Sequence, residues 1–300
     1  MTYKEELYNC TYQSCKDYES KYKHIGKPYE RKEAMEKVTG RARYTFDMEV
    51  PGMLYAKVLH SPHARARIIS IDTSKAKALP GVKAVLTGDD LDLLVGLYMQ
   101  DKWVLAKGET RYQGEAVAAV AATSEVLAEQ AIALIEVEYE VLEPVVGLDK
   151  ALAADILVHE NIAEINHVEG VFFPQPNSNI ASLNRSKRGD LDKGFAEADH
   201  ILENEFSLPA VAHVPIETHV AIAQYDPFTG RIKIISSAQS PFALRQMLAA
   251  TLNIKESDIE IQVPYVGGAF GGKAGIHLEP LLCLLSRAAG GAPVKLKLTR

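Results

Sequence analysis

Short runs in which apolar and polar residues alternate dominate the first half of the chain. Runs of this kind, rich in β-branched residues and typical of strands, lie at 54–60, 66–72, 82–88 and 135–142. Two intervening stretches, Ser74 to Leu79 and about Ser124 to Ala133, have the spacing of short helices. This mixture predicts an α+β fold, with one domain in residues 25–150.

The second half begins with weak periodicity and becomes more regular. Residues 151–188 contain turn-forming sequences such as FFPQPNSN and are predicted to be a linker. Residues 189–300 are predicted to form a mixed α/β domain with an early strand at HILENEFSL (200–208). Residues 1–24, rich in Tyr, Lys and Glu, are interpreted as an N-terminal extension.

The end of the chain predicts a βαβαβ unit. Its strands are RIKIISS (231–237), IEIQVPYV (259–266) and VKLKLT (294–299). The first helix has Ser240 as its N-cap and Pro241 as its first residue, and the second runs from about Leu278 to Ala289. This order favours a parallel sheet with right-handed crossovers.

Two sequence-distant turns of this unit are expected to meet. Gln239 closes the first strand, and the glycine-rich turn GGAFGGK (267–273) closes the second. Because both turns follow parallel strands, they lie at the edge of the sheet where open α/β folds bind ligands. We therefore expect Gln239 to lie beside the glycine-rich turn.

The turn GGAFGGK contains four glycines in seven residues. Glycine lets a ligand approach the main chain closely, and successive N–H groups leading into a helix suit an anion. The alternative interpretation is a tight turn without a ligand. Phe270 is the large apolar member of the turn, and it either packs into the core or walls off a buried site.

The same turn nearly matches a nucleotide-binding P-loop. Gly267, Gly272 and Lys273 have the required spacing between a strand and a helix. However, Ala274 stands where that motif needs Ser or Thr to hold magnesium, and little chain follows for the rest of such a fold. The P-loop is therefore the less favoured interpretation.

Two other groups of residues raise the question of a metal site. His213, Glu217 and His219 do not match the H-E-x-x-H spacing, so satisfied side chains in a partly buried turn, or a pocket lining, are preferred to metal ligation. Cys10 and Cys15 lack two further ligands nearby and are interpreted as ordinary thiols.

Composition narrows the functional classes. The chain is 47% hydrophobic and 24% charged, as soluble globular proteins are, with a formal net charge of −6. Its one basic cluster, Arg185, Lys187 and Arg188, is interpreted as a solvated loop, so nucleic acid is not an expected partner. The sequence predicts neither a membrane span nor a signal peptide, and its three cysteines form no disulfide framework, so we expect a cytoplasmic location.

Several segments together resemble the large subunit of the molybdenum hydroxylases, the xanthine dehydrogenase and aldehyde oxidase family. The stretch from Ile25 to Asp72, with YQGEAVAAVAA and IEVEYEVLEPV, is similar to the family's α/β hammerhead domain. RGDLDKGFAEADHILENEFSLPAVAHVPIETHVAIAQ, SAQSPFALRQMLA and VGGAFGGK follow in the family's order and resemble its molybdopterin-binding domain. The resemblance covers roughly residues 25 to 300 and implies a hammerhead domain followed by a molybdopterin-binding domain.

The resemblance also implies a cofactor and its binding residues. The family carries molybdenum on molybdopterin, in bacteria often as the cytosine dinucleotide. Gln239 matches the glutamine near the metal centre, and Gly268, Phe270 and Gly271 match the loop whose backbone meets the cofactor. Glu217 matches a pocket-supporting position. No side chain of this chain is expected to bind the metal directly.

The resemblance further implies hydroxylation of a substrate carbon with oxygen from water, and electron transfer to iron–sulfur centres. The expected partners are an iron–sulfur subunit carrying [2Fe-2S] clusters, an FAD subunit, and a second molybdopterin-binding chain. The family's general base is a glutamate beyond the region matched here, so no catalytic residue is assigned. The alternative is a scaffold subunit without cofactor.

The substrate class follows from one departure from the family pattern. Purine-hydroxylating members commonly carry an acidic residue directly after GGK, where this chain has Ala274. An apolar side chain cannot replace that hydrogen bond. An aldehyde or an N-heteroaromatic substrate is therefore expected at least as much as xanthine.

Overall fold

The computed structural model describes residues 22–24 and 27–300. Cys10, Cys15 and nearly all of the predicted extension 1–24 lie outside the described residues. Contacts divide the chain after Ala42, and the two parts are described separately. In the first part, the short helix α1 (Ala34–Val38) follows an ion pair between Arg31 and Glu33.

The second part, Arg43–Arg300, contains strands and helices throughout. Its strands are β1 (Leu54–His60), β2 (Ala66–Asp72), β3 (Val82–Thr87), β4 (Leu94–Val95), β5 (Lys102–Trp103), β6 (Glu109–Thr110), β7 (Ala116–Ala122), β8 (Glu136–Val141), β9 (Val220–Tyr225), β10 (Ile232–Ser236), β11 (Ile259–Gln262) and β12 (Val294–Lys297). Its helices are α2 (Ser74–Ala78), α3 (Glu125–Ala133), α4 (Leu148–Ala153), α5 (Leu191–Ala196), α6 (Pro241–Leu252) and α7 (Glu279–Ala288). Among the described residues, no helix has the length and apolar character needed to cross a membrane.

A seven-stranded sheet organises this part, in the order β11-β10-β9-β12-β1-β7-β3. Strands β10 and β11 are parallel, with Ile234 opposite Ile261. Strand β9 runs antiparallel to both β10 and β12, and β12 is parallel to β1. The sheet therefore joins strands from both ends of the sequence.

The all-apolar sequence of β7 explains its central place in the packing. Val117 to Ala122 are 0% exposed, because the strand is covered on both faces. Ala118, Val120 and Ala122 pack with residues of α2 and α3, whereas Ala119 and Ala121 belong to the cluster that contains the leucines of α6 and α7. The two-residue period of a strand thus separates two cores.

Two smaller sheets flank the large one. Strands β6, β2 and β8 form an antiparallel sheet with a register shift between Ile68 and Ser70. Strands β4 and β5 pair with Leu94 opposite Trp103. A bridge between Met99 and His167 ties the predicted linker to this region.

Most predicted elements are present, and the mixed α and β architecture is confirmed. The strand at HILENEFSL (200–208) is wrong: the segment has no ladder partner among the described residues, and Leu202 and Leu208 are 89% and 91% exposed. The all-parallel neighbourhood predicted for the last strands is also wrong, because β9 lies between β10 and β12. The boundaries 25–150, 151–188 and 189–300 stay a prediction.

Candidate functional site

The glycine-rich loop, residues 267–273, follows β11 and has unusual backbone geometry. Gly268, Phe270 and Gly271 have φ angles of +103°, +54° and +90°. Glycine adopts this left-handed region freely, whereas Phe270 does so at a cost of roughly 1–2 kcal/mol. The loop therefore needs glycine at two positions to keep its path.

Phe270 does not pack into the core. Its side chain is 74% exposed, although large apolar residues are normally buried. Of the two alternatives for Phe270, packing into the core is therefore wrong. An exposed aromatic ring on a strained backbone can instead cover one side of a bound ligand.

Consecutive main-chain donors stand free in this loop. Among the described residues, the N–H groups of Gly268, Ala269, Phe270 and Gly271 have no hydrogen-bond acceptor. The next N–H, of Gly272, donates to the Ala269 carbonyl over 2.9 Å. Free donors at successive positions are typical of loops that bind anionic or carbonyl-like groups.

Gln239 meets the end of the loop, as the topology predicted. Its main-chain N–H donates to the Lys273 carbonyl over 3.0 Å, and its Oε1 accepts from the Lys273 N–H over 3.1 Å. Because Oε1 already serves as an acceptor, the exposed end of this amide is its NH₂ group. Gln239 therefore adds another donor beside the free N–H groups.

A buried ion pair lies beneath the loop. The side chains of Lys273 and Glu217 are 1% and 5% exposed, and Lys273 Nζ lies 3.2 Å from Glu217 Oε2. Lys273 Nζ also donates to the Glu217 carbonyl over 2.8 Å. A lysine held in this way cannot reach a phosphate above the loop, which argues against the P-loop interpretation.

Glu217 also forms hydrogen bonds with the first residue of the loop, Gly267. Its Oε2 accepts from the Gly267 N–H over 2.8 Å, and its own N–H donates to the Gly267 carbonyl over 3.1 Å. A Cβ added at Gly267 would lie 2.5 Å from the Glu217 Cβ, so this close approach requires glycine. The sequence identified both residues but not their contact.

The second carboxylate oxygen of Glu217 is an unpaired acceptor. Glu217 Oε1 is buried and has no hydrogen-bond partner among the described residues. Glu217 also lines a cavity of about 550 Å³, together with Tyr44, Phe46, Asp47, Ile216 and Gly267. Since a buried unpaired acceptor costs free energy, this oxygen is a natural point of contact for a donor.

The three residues considered as a metal triad make separate contacts. Glu217 binds Lys273, and His219 Nε2 donates to the Gly272 carbonyl over 2.8 Å. His213 lies against the loop, since a Cβ added at Gly272 would be 3.0 Å from its Cγ. Within residues 22–24 and 27–300, no group of three or more His, Cys, Asp or Glu side chains is placed to hold a metal.

A pair of histidines, His219 and His277, lies beside the loop and before α7. The rings of His219 and His277 meet edge-on with centroids 4.7 Å apart. Partial burial lowers the pKa of His277, and the nearby His219 acts in the same direction. The buried Glu279 accepts from the His277 N–H and from Ser236 Oγ, over 3.0 and 2.7 Å. Sequence analysis missed His277 and Glu279, because no motif connects them to the loop.

An open groove of about 630 Å³ passes the other end of the loop. Gly271 and Gly272 line it, with aromatic walls from Tyr98, Trp103 and Phe172. The rings of Tyr98 and Phe172 stack with centroids 5.5 Å apart. A flat apolar molecule would fit against such walls.

Two family models match the chain. Residues 39–143 match the a/b hammerhead domain of aldehyde oxidase and xanthine dehydrogenase. Residues 172–300 match the molybdopterin cofactor-binding domain, and this match includes Gln239 and the glycine-rich loop.

Known proteins agree with both matches. A probable xanthine dehydrogenase subunit of Bacillus subtilis (strain 168) is 36% identical over 92% of this chain, and the match covers 35% of that protein. The nicotinate dehydrogenase large molybdopterin subunit of Eubacterium barkeri is 32% identical over 88% of this chain and 59% of its own length. The solved quinoline 2-oxidoreductase of Pseudomonas putida 86 has a TM-score of 0.77 and 37% identity, covering 92% of this chain and 34% of that one.

The chain thus spans about a third of the length of relatives such as the Bacillus subtilis protein, of which 35% is matched. The predicted resemblance is confirmed by both domain matches and by the structural likeness. This chain belongs to the xanthine dehydrogenase and aldehyde oxidase family of molybdenum enzymes and corresponds to part of its molybdopterin-binding large subunit.

Proposed function

We propose that this chain supplies one wall of the molybdopterin site in an enzyme that hydroxylates an aldehyde or N-heteroaromatic carbon. The observation that carries this proposal is that Gln239 is hydrogen-bonded to the end of a loop whose N–H donors are free. The proposed enzyme takes oxygen from water and passes electrons to iron–sulfur centres.

The residues present fit such a cofactor. Molybdopterin offers carbonyl, phosphate and ring-nitrogen acceptors, and the N–H groups of Gly268 to Gly271 are free to donate to them. The pterin ring also offers an amino group, and the buried Glu217 Oε1 is an acceptor without a partner among the described residues. We assign cofactor binding to Gln239, Gly268, Phe270 and Gly271, with Glu217 as support.

Each of these residues has a distinct task. A bound molybdenum cofactor supplies two-electron oxidation of a substrate carbon with oxygen from water. The Gln239 NH₂ group donates a hydrogen bond towards the reacting centre, because its Oε1 is already engaged by Lys273. Phe270 excludes water from one side of the site. No residue of this chain is assigned as the general base, and we propose that a glutamate elsewhere in the large subunit has that role.

The substrate class is argued from the groove and from Ala274. Ala274 cannot offer the acidic hydrogen bond that purine hydroxylation commonly uses. The aromatic groove beside Gly271 suits a flat ring. Two relatives are named for nicotinate and quinoline, which are N-heteroaromatic molecules.

The complete enzyme is proposed to be an assembly. Several matched relatives are named as subunits, and this chain covers about a third of the Bacillus subtilis one, 35%. We propose an iron–sulfur subunit with [2Fe-2S] clusters, an FAD subunit and a second molybdopterin-binding chain as partners. The cofactor is proposed to be the cytosine dinucleotide form, and the location to be cytoplasmic.

Metal and pterin analysis of the purified assembly tests this proposal. We expect molybdenum and pterin in near-equal amounts, release of a cytosine nucleotide on hydrolysis, and turnover of a panel of quinolines, pyridine carboxylates and aldehydes. An assembly without molybdenum or pterin would instead identify the chain as a scaffold subunit. Turnover of xanthine alone would reject the substrate class but not the cofactor.

A further inference from the structure

One side chain, that of Glu217, joins the two ends of the glycine-rich loop. Glu217 Oε2 accepts from the Gly267 N–H at the start of the loop, over 2.8 Å. Lys273, at the end of the loop, reaches back to the same oxygen over 3.2 Å. The buried ion pair therefore connects the two ends of the loop, whereas the Phe270 ring between them is exposed.

The main chain of the same lysine fixes the orientation of the Gln239 side-chain amide through hydrogen bonds. The Lys273 N–H donates to Gln239 Oε1, and the Lys273 carbonyl accepts from the Gln239 N–H. If the Lys273 main chain moves, both contacts move with it. Gln239 then loses the bond that turns its NH₂ group outward.

We propose that Lys273 is a positioning residue, which acts through Glu217 to hold the loop donors and the Gln239 amide at a fixed spacing. The identity of the ligand in this proposal rests on the proposed function. The positioning of the loop and of Gln239 by Lys273 does not. Lys273 touches no ligand in this role, because its Nζ is directed to the Glu217 carbonyl and carboxylate.

Lysine suits this task for a physical reason. Its ammonium group satisfies two acceptors of one residue, the Glu217 carbonyl and Oε2, at the end of a long apolar stem. A side chain that is 1% exposed leaves little room for a larger guanidinium group. Removing the ammonium group would leave a buried carboxylate without its cation.

Lys295 provides a matched control. It is also a buried lysine, 6% exposed, and its Nζ donates to two main-chain carbonyls, of Phe46 and Met48, each over 2.8 Å. It lies on β12, and the hydrogen bonds of its Nζ go to neither the loop nor Gln239. Lys295→Met therefore removes a buried ammonium group and two hydrogen bonds, none of which is made by the glycine-rich loop or by Gln239.

The test compares Lys273→Met, Lys295→Met and the double variant Lys273→Met/Glu217→Gln in the complete purified assembly. The measurements are amide hydrogen exchange of residues 264–275, pterin and molybdenum content, and melting temperature. For Lys273→Met we expect exchange at Gly267 and Lys273 to rise at least tenfold and pterin content to fall by more than half. Lys295→Met should lower the melting temperature while loop exchange and pterin content stay within twofold of the parent protein.

The double variant distinguishes the positioning role of Lys273 from its contribution to the stability of the fold. Removing both charges relieves the unpaired buried carboxylate, so the melting temperature should recover towards that of the parent protein. The Lys273 and Gln239 amides should still exchange fast, and pterin content should stay low, because the tether is absent. Recovery of loop protection and pterin together with the melting temperature would overturn the proposal. So would normal loop exchange in Lys273→Met.

Failure of the proposed function gives a different result. An unmodified assembly that contains no pterin would reject molybdopterin binding, while the exchange comparison would still decide the role of Lys273. If Lys273→Met does not fold, Glu217→Met serves as the second variant, because it keeps a similar side-chain volume but removes the oxygen that accepts from Gly267 and Lys273. Parent-like exchange at Gly267 and Lys273 in Glu217→Met would then overturn the proposal.

Discussion

At Gly271 the main chain has a φ of +90°, and an added Cβ would meet only His213 Nε2, at 3.9 Å. Gly230, in the turn between β9 and β10, has a φ of +72° and open space around it. Replacing either glycine by leucine therefore imposes a similar backbone strain, roughly 1–2 kcal/mol. The two positions differ in one respect: Gly271 lies within the proposed cofactor loop.

We expect Gly271→Leu to lose most of its pterin, because a leucine side chain would occupy the surface above the loop donors. Gly230→Leu should lose a similar amount of stability in urea unfolding but keep its pterin. Pterin content measured by fluorescence after oxidation provides the comparison. Full loading of Gly271→Leu would show that the ligand does not approach the loop at this residue.

His277 makes the stability of the loop support depend on pH. Partial burial lowers the pKa of its ring, with contributions in the same direction from His219 and Lys102, whereas Glu279 opposes them. As the pH falls through about 6.5, the unfolded chain binds a proton that folded His277 does not yet accept. The free energy of unfolding should therefore decrease with falling pH until the lowered pKa is passed.

The prediction is that His277→Gln makes the stability less dependent on pH between pH 5 and 7. Urea unfolding at several pH values measures the change in slope. The change should be well below the limit of about 1.4 kcal/mol per pH unit for one full proton, because the residue is partly exposed. An unchanged slope in the variant would show that His277 does not titrate in this way.

At the scale of elements, the local pattern of apolar and polar residues was sufficient to predict those strands and helices whose formation depends on nearby residues. Strands β1, β2, β3 and β8 have a two-residue alternation that is visible in the sequence, and they form where it predicts. The helix α6 begins at Pro241 as expected, although Ser240 makes no capping hydrogen bond with its side chain. These features depend on neighbours that are close in sequence.

Pairing between distant segments was not visible in the sequence. Strand β9 begins within HVPIETHVAIA, whose ionisable residues and proline favoured a turn, yet Val220 to Ala223 are nearly fully buried. It separates β10 from β12 because sheet order is decided by non-local packing. The burial of Lys273 was hidden for the same reason, since its partner Glu217 is distant in sequence.

The position of Gln239 beside the loop was predicted better than the order of the strands in the sheet. The meeting of Gln239 with the loop required only that β10 and β11 run in the same direction, which their connection by a helix favours. That part of the topology is independent of where β9 and β12 lie. The free donors and the ion pair required atomic contacts, and no residue pattern encodes those.

At the scale of the whole molecule, the segment 198–216 stands apart from the sheet. It has no ladder partner among the described residues, and Leu202, Phe206, Leu208 and Val211 are all more than 80% exposed. Its alternation is nevertheless that of a strand, which is why it was predicted to be one. An exposed apolar strand-like segment is normally covered by further polypeptide.

We therefore expect other polypeptide to cover the segment in the complete assembly. Relatives are long enough to supply it, since the match covers only 35% of the Bacillus subtilis protein. Hydroxyl-radical footprinting of the purified assembly can test this with a matched pair of residues. Phe206 and Phe228 are 86% and 96% exposed here, so similar oxidation rates follow if both stay open to solvent. If polypeptide pairs with the segment, Phe206 should be oxidised at least fivefold more slowly than Phe228, which lies in the β9–β10 turn. Equal rates for the two rings would show that the segment remains solvent-exposed and that the alternation of residues 200–208 does not mark a strand in the assembled enzyme.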